Sequence, residues 1–188
     1  DSVAIWKSQE VLPHHLKYRY VGEANGKPLA LLEQRDDFSK SRFAWVEEDG
    51  SVRLLPEVEY KVDGKPYGKI CNFFVQLEGR TVPFEGDAID VVVRGADRIF
   101  RVRGGQAFDI TPHVIAHQEA QIVNLHVLPG NRIAVLARGV GFVIFDLQGT
   151  VLHRVYADHL PAFWTTSLFD RSGRVWVPGE KEMHQVDY

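Results

Sequence analysis

Two histidines of this chain have the spacing of a metal-binding pair. His113 and His117 are four residues apart, which on a helix would place both imidazoles on one face, and Glu119 stands close by. A zinc protease would need His-Glu-x-x-His, but Val114 occupies the position of that glutamate. The flanking residues carry no sustained helical apolar stripe either. We therefore favour a surface loop with ordinary histidines over a metal site, and we expect no cofactor.

The acidic and thiol groups give weaker signals for catalysis. The acidic pair 36–37 and the acidic run 47–49 both lack the alternating spacing of a calcium loop. Cys71 adjoins an apolar run, which favours a small buried hydrophobe over a catalytic thiol. The sequence contains no G-x-S-x-G nucleophile motif and no G-x-x-x-x-G-K phosphate loop. These patterns favour a protein that binds without catalysis.

Two arginines stand at matching positions of a repeated pattern. Arg94-Gly95 and Arg138-Gly139 are 44 residues apart, and each dipeptide follows an apolar run. Two guanidinium groups on one rim would suit a carboxylate or phosphate ligand, or the acidic side chains of a partner. The alternative, which we favour slightly, is that each arginine pairs with an aspartate of the neighbouring repeat. Whether the arginines bind a ligand or pair with aspartates depends on the strands and turns that position them.

The composition is typical of a single globular domain spanning residues 1–188. Hydrophobic residues make up 45% of the 188 positions and charged residues 25%. The formal net charge of −3 gives no electrostatic reason to expect a nucleic-acid or membrane-surface partner. No apolar run approaches the roughly 20 residues that a membrane-spanning helix needs.

A repeat of β-strands is the dominant pattern. The segment 90–110 (DVVVRGADRIFRVRGGQAFDI) aligns with 133–155 (IAVLARGVGFVIFDLQGTVLHRV), since each has an apolar strand, Arg-Gly, a second strand, a turn glycine and a third strand. A third copy begins at Val175 and a looser one at Leu29, and one further strand precedes each copy. Four strands in about 40 to 45 residues is the period of a β-propeller blade.

The repeat predicts an all-β fold, a β-propeller or propeller fragment of about four blades. Each blade would be a four-stranded antiparallel sheet, and the predicted blades are 16–56, 70–112, 121–157 and 164–188. The last blade ends one strand short, and we expect the segment 1–10, through Val3 to Trp6, to pair beside Lys181 to Tyr188. The alternative is part of a larger propeller, with an open blade edge through which two copies would form a homodimer.

Part of the sequence resembles a known family. The stretch Thr165 to Gly179 (TTSLFDRSGRVWVPG) resembles the propeller repeat in the sensor regions of bacterial two-component regulators. The segment Ile133 to Leu152 looks like the related NHL-type blade. The resemblance implies a propeller fold and a place in the extracytoplasmic, periplasmic sensor region of a bacterial signalling protein. Pro178 stands where that repeat has a small residue.

One face of such a propeller is the expected binding face. The blade-to-blade connections and the loops between second and third strands emerge together there, at the mouth of the central channel. The candidate ligand-binding residues on it are Arg35, Arg94, Arg138, His159 and Trp164. Of these, Trp164 would either line a pocket or plug a blade interface, and we favour the second.

The sequence thus predicts a non-catalytic module that binds an unknown small molecule or protein. One alternative is a propeller hydrolase or lyase, for which Asp36, Asp37, His113 and His159 would have to converge at the channel mouth. The other alternative is a scaffold that completes a larger propeller. An exposed apolar blade edge would favour the scaffold.

Overall fold

The protein is an all-β fold of successive antiparallel sheets in a propeller-like arrangement, as the repeat predicts. The computed structural model describes residues 12–24, 26–77, 89–118, 120–156, 168–169, 174–178 and 183–186. Each of the first three sheets has four strands in chain order, and three strands of the fourth sheet are described. The expectation of one domain over residues 1–188 stays a prediction.

The blades follow one another along the chain. Blade 1 contains β1 (Leu16–Ala24), β2 (Lys27–Gln34), β3 (Lys40–Val46) and β4 (Val52–Glu59). A short hairpin of β5 (Lys61–Val62) and β6 (Lys65–Pro66) comes next. Blade 2 contains β7 (Ile70–Gln76), β8 (Asp90–Gly95), β9 (Ile99–Arg103) and β10 (Gln106–Asp109), and is followed by the one-turn helix α1 (His113–Ala116). Blade 3 contains β11 (Ile122–Leu128), β12 (Arg132–Ala137), β13 (Gly141–Phe145) and β14 (Val151–Tyr156), and blade 4 contains β15 (Leu168–Phe169), β16 (Val175–Pro178) and β17 (Met183–Val186).

The turns have the residue types that their backbone angles require. Gly104 and Gly105 join β9 to β10 with φ values of 55° and 78°, which glycine adopts without steric cost. Asp63 and Gly64 do the same between β5 and β6, with φ values of 49° and 75°. The repeat pattern did not predict this small hairpin.

Apolar clusters fill the spaces between successive blades. Between blades 1 and 2 the cluster includes Leu29, Leu31, Phe43, Phe74, Val91, Val93 and Phe100, and between blades 2 and 3 it includes Val92, Ile99, Leu125, Ile133, Val135, Val143 and Phe145. The inner strands β12 and β13 are buried on both faces, which their uninterrupted apolar runs predict. Burying each such large side chain stabilises the fold by about 1.5–3 kcal/mol.

Several predictions about the chain ends fall on residues that are not described. The proposed closing strand, Val3 to Trp6, lies outside the described residues, as does Lys181. In blade 4 the described strands pair in the order β15, β16, β17, and Val175 is fully buried against blade 3. No helix within the described ranges is long and apolar enough to span a bilayer.

Candidate functional site

The predicted binding face consists of the loops at one end of blades 1 to 3. We call it the rim face, and its described parts are residues 35–39, 60–69, 96–98, 110–118, 120–121 and 138–140. Backbone hydrogen bonds join several of these loops, and one of the bonds connects blade 3 to blade 2. The Ala96 amide donates to the Lys69 carbonyl at 2.9 Å, the Ile122 amide donates to the Ala96 carbonyl at 2.8 Å, and the Arg138 amide donates to the Gln121 carbonyl at 2.9 Å. The rim-face loops of blades 2 and 3 are therefore fixed to one another.

Arg94 serves the interface between blades 2 and 3. Its guanidinium donates to the Val123 carbonyl of β11 at 2.6 Å and lies 5.9 Å from the centroid of the Phe73 ring. We expected this arginine to pair with an aspartate of the neighbouring blade. That expectation is wrong, because its partner in blade 3 is a backbone carbonyl. Arg94 thus bridges two blades and does not project freely from the rim face.

Arg138 has a different environment, although it matches Arg94 in the repeat. In blade 2 the hairpin pairing continues through Arg94 and Ile99, whereas in blade 3 the last pair is Ala137 and Gly141. Arg138 therefore lies in the turn itself, where it is exposed. Its guanidinium makes no hydrogen bond or ion pair with the described part of the chain. The two arginines are equivalent in sequence but not in the hairpins.

The other candidate residues are dispersed. Arg35 is exposed on the rim face, and its amide donates to the His15 carbonyl at 2.8 Å, which fixes the loop at the end of β2. His159 and Trp164 lie outside the described residues. Nothing therefore tests the set as a binding site, and it stays a prediction.

A buried hydrogen bond that no sequence pattern predicted fixes the hairpin between β8 and β9. The Tyr67 hydroxyl donates to an Asp97 carboxylate oxygen at 2.5 Å, and both residues are buried. Gly95 leaves the space for this contact, because a Cβ there would lie 2.7 Å from the Tyr67 hydroxyl oxygen. A buried carboxylate needs such a donor. The repeat alone did not point to Asp97, because the segment 90–110 also contains Asp90, Asp109 and four arginines.

The acidic residues near β3 form a turn and an ion-pair network. Asp37 accepts hydrogen bonds from the Ser39 amide at 3.0 Å and the Ser39 hydroxyl at 2.6 Å, and these bonds lower the pKa of the Asp37 carboxyl. The Lys40 ammonium lies 3.6 Å from Asp37 and 3.3 Å from Glu57. Asp37 and Glu57 therefore form hydrogen bonds and ion pairs within the loop and the sheet.

His113 of α1 and His117, which follows the last residue of α1, stack on each other. The rings of His113 and His117 are 5.3 Å apart and nearly parallel, and both residues are exposed. No group of three His, Cys, Asp or Glu side chains within the described ranges could hold a metal ion, and Glu119 lies outside them. By contrast, His126 of β11 lies largely within the fold, and burial lowers the pKa of its imidazole to about 4. Cys71 lies in β7, and its expected burial stays a prediction.

A cavity of about 580 Å³ lies on the face of blade 1 that turns away from blade 2. Its wall is mostly apolar, and the acidic side chains Glu47 and Glu48 also line it. The apolar lining residues are Tyr18, Val21, Pro28, Val46 and Val52. No sequence pattern predicted this concavity, because strand alternation alone does not show which sheet faces lack a complete cover.

Comparison with known proteins supports the fold only. No family model and no curated protein matches the chain. Among solved structures, the chain is similar to the crystal structure of a protein of unknown function from Bacteroides caccae, with 12% identity and a TM-score of 0.55. The match covers 89% of this chain and 58% of that one, so this chain spans less than two thirds of its neighbour's length.

Proposed function

We propose that the protein is a non-catalytic binding module whose rim face takes a carboxylate or phosphate ligand, or an acidic segment of a partner protein. The observation that carries this proposal is the exposed guanidinium of Arg138, which has no partner among the described residues. Because a guanidinium offers several donors in a planar fork, it binds carboxylates and phosphates in a two-point geometry. The resemblance to sensor repeats supports placing the module in the extracytoplasmic sensor region of a bacterial signalling protein.

The hairpin that carries Arg138 is held in position before any ligand arrives. The Val140 amide donates to the Ala137 carbonyl at 3.2 Å, and the Arg154 guanidinium donates to the Val140 carbonyl at 3.0 Å. A fixed turn loses little conformational entropy on binding, so more of the interaction energy appears as affinity. Arg35 lies exposed on the same face of blade 1 and would contact an extended acidic partner.

The proposal predicts that anions bind through one arginine and not through cationic surface in general. Citrate, inorganic phosphate and a short glutamate-rich peptide serve as probes in a thermal-shift and calorimetric titration of the full chain. We expect Arg138→Gln to weaken binding of the best probe at least tenfold, about the effect of one charge-assisted hydrogen bond.

Arg132 supplies the matched control for this experiment. It is the first residue of β12, at the opposite end of the strand from Arg138, and its guanidinium donates to the Pro129 carbonyl at 3.1 Å. We expect Arg132→Gln to leave anion binding unchanged. Equal losses in the two variants, or no binding of any probe by the wild-type chain, would contradict the proposal.

One observation favours a second candidate function, a scaffold that completes a larger propeller. The apolar cavity on blade 1 is the kind of surface that another sheet would cover. The hydrolase or lyase alternative stays untested, because His159 lies outside the described residues.

A further inference from the structure

We infer that the rim-face turn of blade 3 binds a phosphate monoester, which Arg138 and Arg154 contact together. Arg138 remains the main contact for any anion, and Arg154 adds a second contact that a doubly charged group uses. The inference rests on the proposed function, because it names the chemical class of the ligand at the same turn.

The guanidinium of Arg154 lies at the turn that carries Arg138. It donates to the Val140 carbonyl from Nη2 at 3.0 Å and from Nε at 3.3 Å. Val140 is two residues from Arg138, and two residues of chain span at most about 7 Å. An arginine side chain is long enough to cover that distance, so both guanidinium groups can contact one small ligand.

Arg154 is held in place but keeps donors for a ligand. It is half-buried, and its guanidinium lies 4.3 Å from the centroid of the Tyr156 ring. Within the described ranges its Nη1 has no hydrogen-bond partner, and neither Arg154 nor Arg138 pairs with a carboxylate. A side chain that is already fixed loses little conformational entropy on binding, and a half-buried charge is screened less by salt.

Blade 2 shows that the fold does not need an arginine at this position. Val143 pairs with Arg154 in blade 3, and the Ile110 amide donates to the Ile99 carbonyl in blade 2. Both residues of the blade 3 pair stand 44 positions after their counterparts, as the Arg-Gly dipeptides do. Ile110 is 6% exposed and belongs to the apolar cluster between blades 2 and 3. Blade 3 therefore has an arginine where blade 2 has a packing residue, at the turn where the repeated arginine is exposed.

Two guanidinium groups at one turn suit a phosphate monoester better than a carboxylate. A carboxylate has one charge and two oxygens, which a single guanidinium fork satisfies. A phosphate monoester has a charge of about −1.5 to −2 at pH 7 and three acceptor oxygens, so it can accept hydrogen bonds from two forks. Along an extended acidic segment, the carboxylates on one face are about 7 Å apart and do not converge on one turn.

Two phosphate esters test the inference on the full chain. Methyl phosphate has a second ionisation that dimethyl phosphate lacks, and calorimetric titrations at about pH 7.5 give the ratio of their affinities. We expect the wild-type chain to bind methyl phosphate at least tenfold more tightly, about the effect of one charge-assisted hydrogen bond. Arg154→Gln keeps a donor for the Val140 carbonyl but removes the charge. In that variant the ratio should fall to about twofold, because Arg138 alone still prefers the larger charge.

Two further variants separate ligand contact from support of the turn. Arg154→Ile introduces the residue that blade 2 has at this position, and it should lower the ratio as Arg154→Gln does. Arg53→Ile is the matched control and should leave the ratio unchanged, because Arg53 lies on β4 of blade 1 and pairs with Glu47 away from the rim face. Circular dichroism of each variant verifies that the fold is retained. A fall in Arg154→Ile alone would mean that Arg154 only supports the turn, which would overturn the inference.

The inference and the proposed function fail in different ways. An unchanged ratio in Arg154→Gln would overturn the inference, whereas the proposed function would stand as long as Arg138→Gln weakens the binding of both esters. If Arg138→Gln changed neither affinity, both would be wrong. Tighter binding of a glutamate-rich peptide than of methyl phosphate would also overturn the inference.

A short phosphoserine peptide distinguishes the two sources of a phosphate monoester. Binding at least tenfold tighter than that of methyl phosphate would support the inference with a phosphorylated protein as the partner. Equal affinities would support it with a small phosphate ester as the ligand. A peptide that binds more weakly than its unphosphorylated form would contradict it, because the phosphate would then be repelled from the turn.

Discussion

The hairpins between the second and third strands of blades 2 and 3 begin with the same dipeptide but differ in what they contact. In blade 2, Arg94 reaches the Val123 carbonyl of the next blade, and Gly95 packs against Tyr67. In blade 3, Arg138 is exposed, and a Cβ at Gly139 would meet nothing within 4 Å. One hairpin is fixed in an interface, while the other lies open at the rim face.

The difference shows that a repeated motif has no fixed role in a repeat protein. The strand pairing in blade 3 ends at Ala137 and Gly141, so the arginine falls in the turn, whereas in blade 2 the arginine still belongs to the paired strand. A small shift of the turn along the strands thus separates an interface residue from a candidate ligand-binding residue. If this account is correct, matched substitutions in the two hairpins should have different effects.

The largest contrast is expected at the two glycines. In Gly95→Ala the new Cβ would lie 2.7 Å from the Tyr67 hydroxyl oxygen and 3.0 Å from the Arg98 carbonyl oxygen. We expect a loss of about 3 kcal/mol in the free energy of unfolding, as for other overpacked sites. Gly139→Ala meets no atom but strains a φ of 75°, which costs about 1 kcal/mol. Urea denaturation measures both, and equal losses would contradict the contrast.

The next effect concerns the buried hydrogen bond beside Gly95. Tyr67→Phe removes the hydroxyl that donates to Asp97 at 2.5 Å and leaves a buried carboxylate without this donor. We expect a loss of about 2 kcal/mol in unfolding free energy. The control is Tyr18→Phe, because Tyr18 is 39% exposed and should change stability by less than about 0.5 kcal/mol. If the two variants were equally stable, Asp97 would not depend on Tyr67.

The sequence predicts the sheet pattern better than the contacts of its loops. Uninterrupted apolar runs such as those of β12 and β13 can only be buried on both faces, and glycine pairs such as 104–105 mark tight turns, so blades and their order follow from local chemistry. The pairing of Tyr67 with Asp97 joins residues 30 positions apart, and strand alternation does not show which loops meet.

The candidate site could be predicted only to the level of residue type and face. The sequence placed both Arg94 and Arg138 on the rim face, but their different roles depend on where each hairpin turns. The sequence does not predict the cavity on blade 1, because valines such as Val21, Val46 and Val52 are typical core residues of any strand. Exposure depends on which sheet covers another, and that is a property of the assembled ring.

A smaller contrast is expected at the two arginines. Arg94→Met leaves the Val123 carbonyl without its donor at 2.6 Å, and we expect a loss of about 1–2 kcal/mol in unfolding free energy. Arg138→Met should cost less than about 0.5 kcal/mol, as for an exposed side chain. Citrate binding should show the reverse order, with the larger loss in Arg138→Met. If the same variant showed the larger loss in both stability and citrate binding, Arg94 could not be assigned to the blade interface and Arg138 to the rim face.

The smallest expected effect is a pH dependence of stability that comes from His126 of blade 3 and not from the exposed His113 and His117. Burial lowers the pKa of His126 to about 4, from about 6.5 in the unfolded chain. Between these values the unfolded state binds more protons, so stability falls as the pH is lowered from 7 towards 4 and then levels off. Because the imidazole keeps partial access to water, we expect a loss of only about 1 kcal/mol between pH 7 and pH 5.

His126→Gln should remove this loss, whereas His117→Gln, which changes an exposed ring, should retain it. Urea denaturation at pH 7, 6 and 5 measures all three proteins, and an unchanged slope in His126→Gln would show that another group controls the acid sensitivity of the fold.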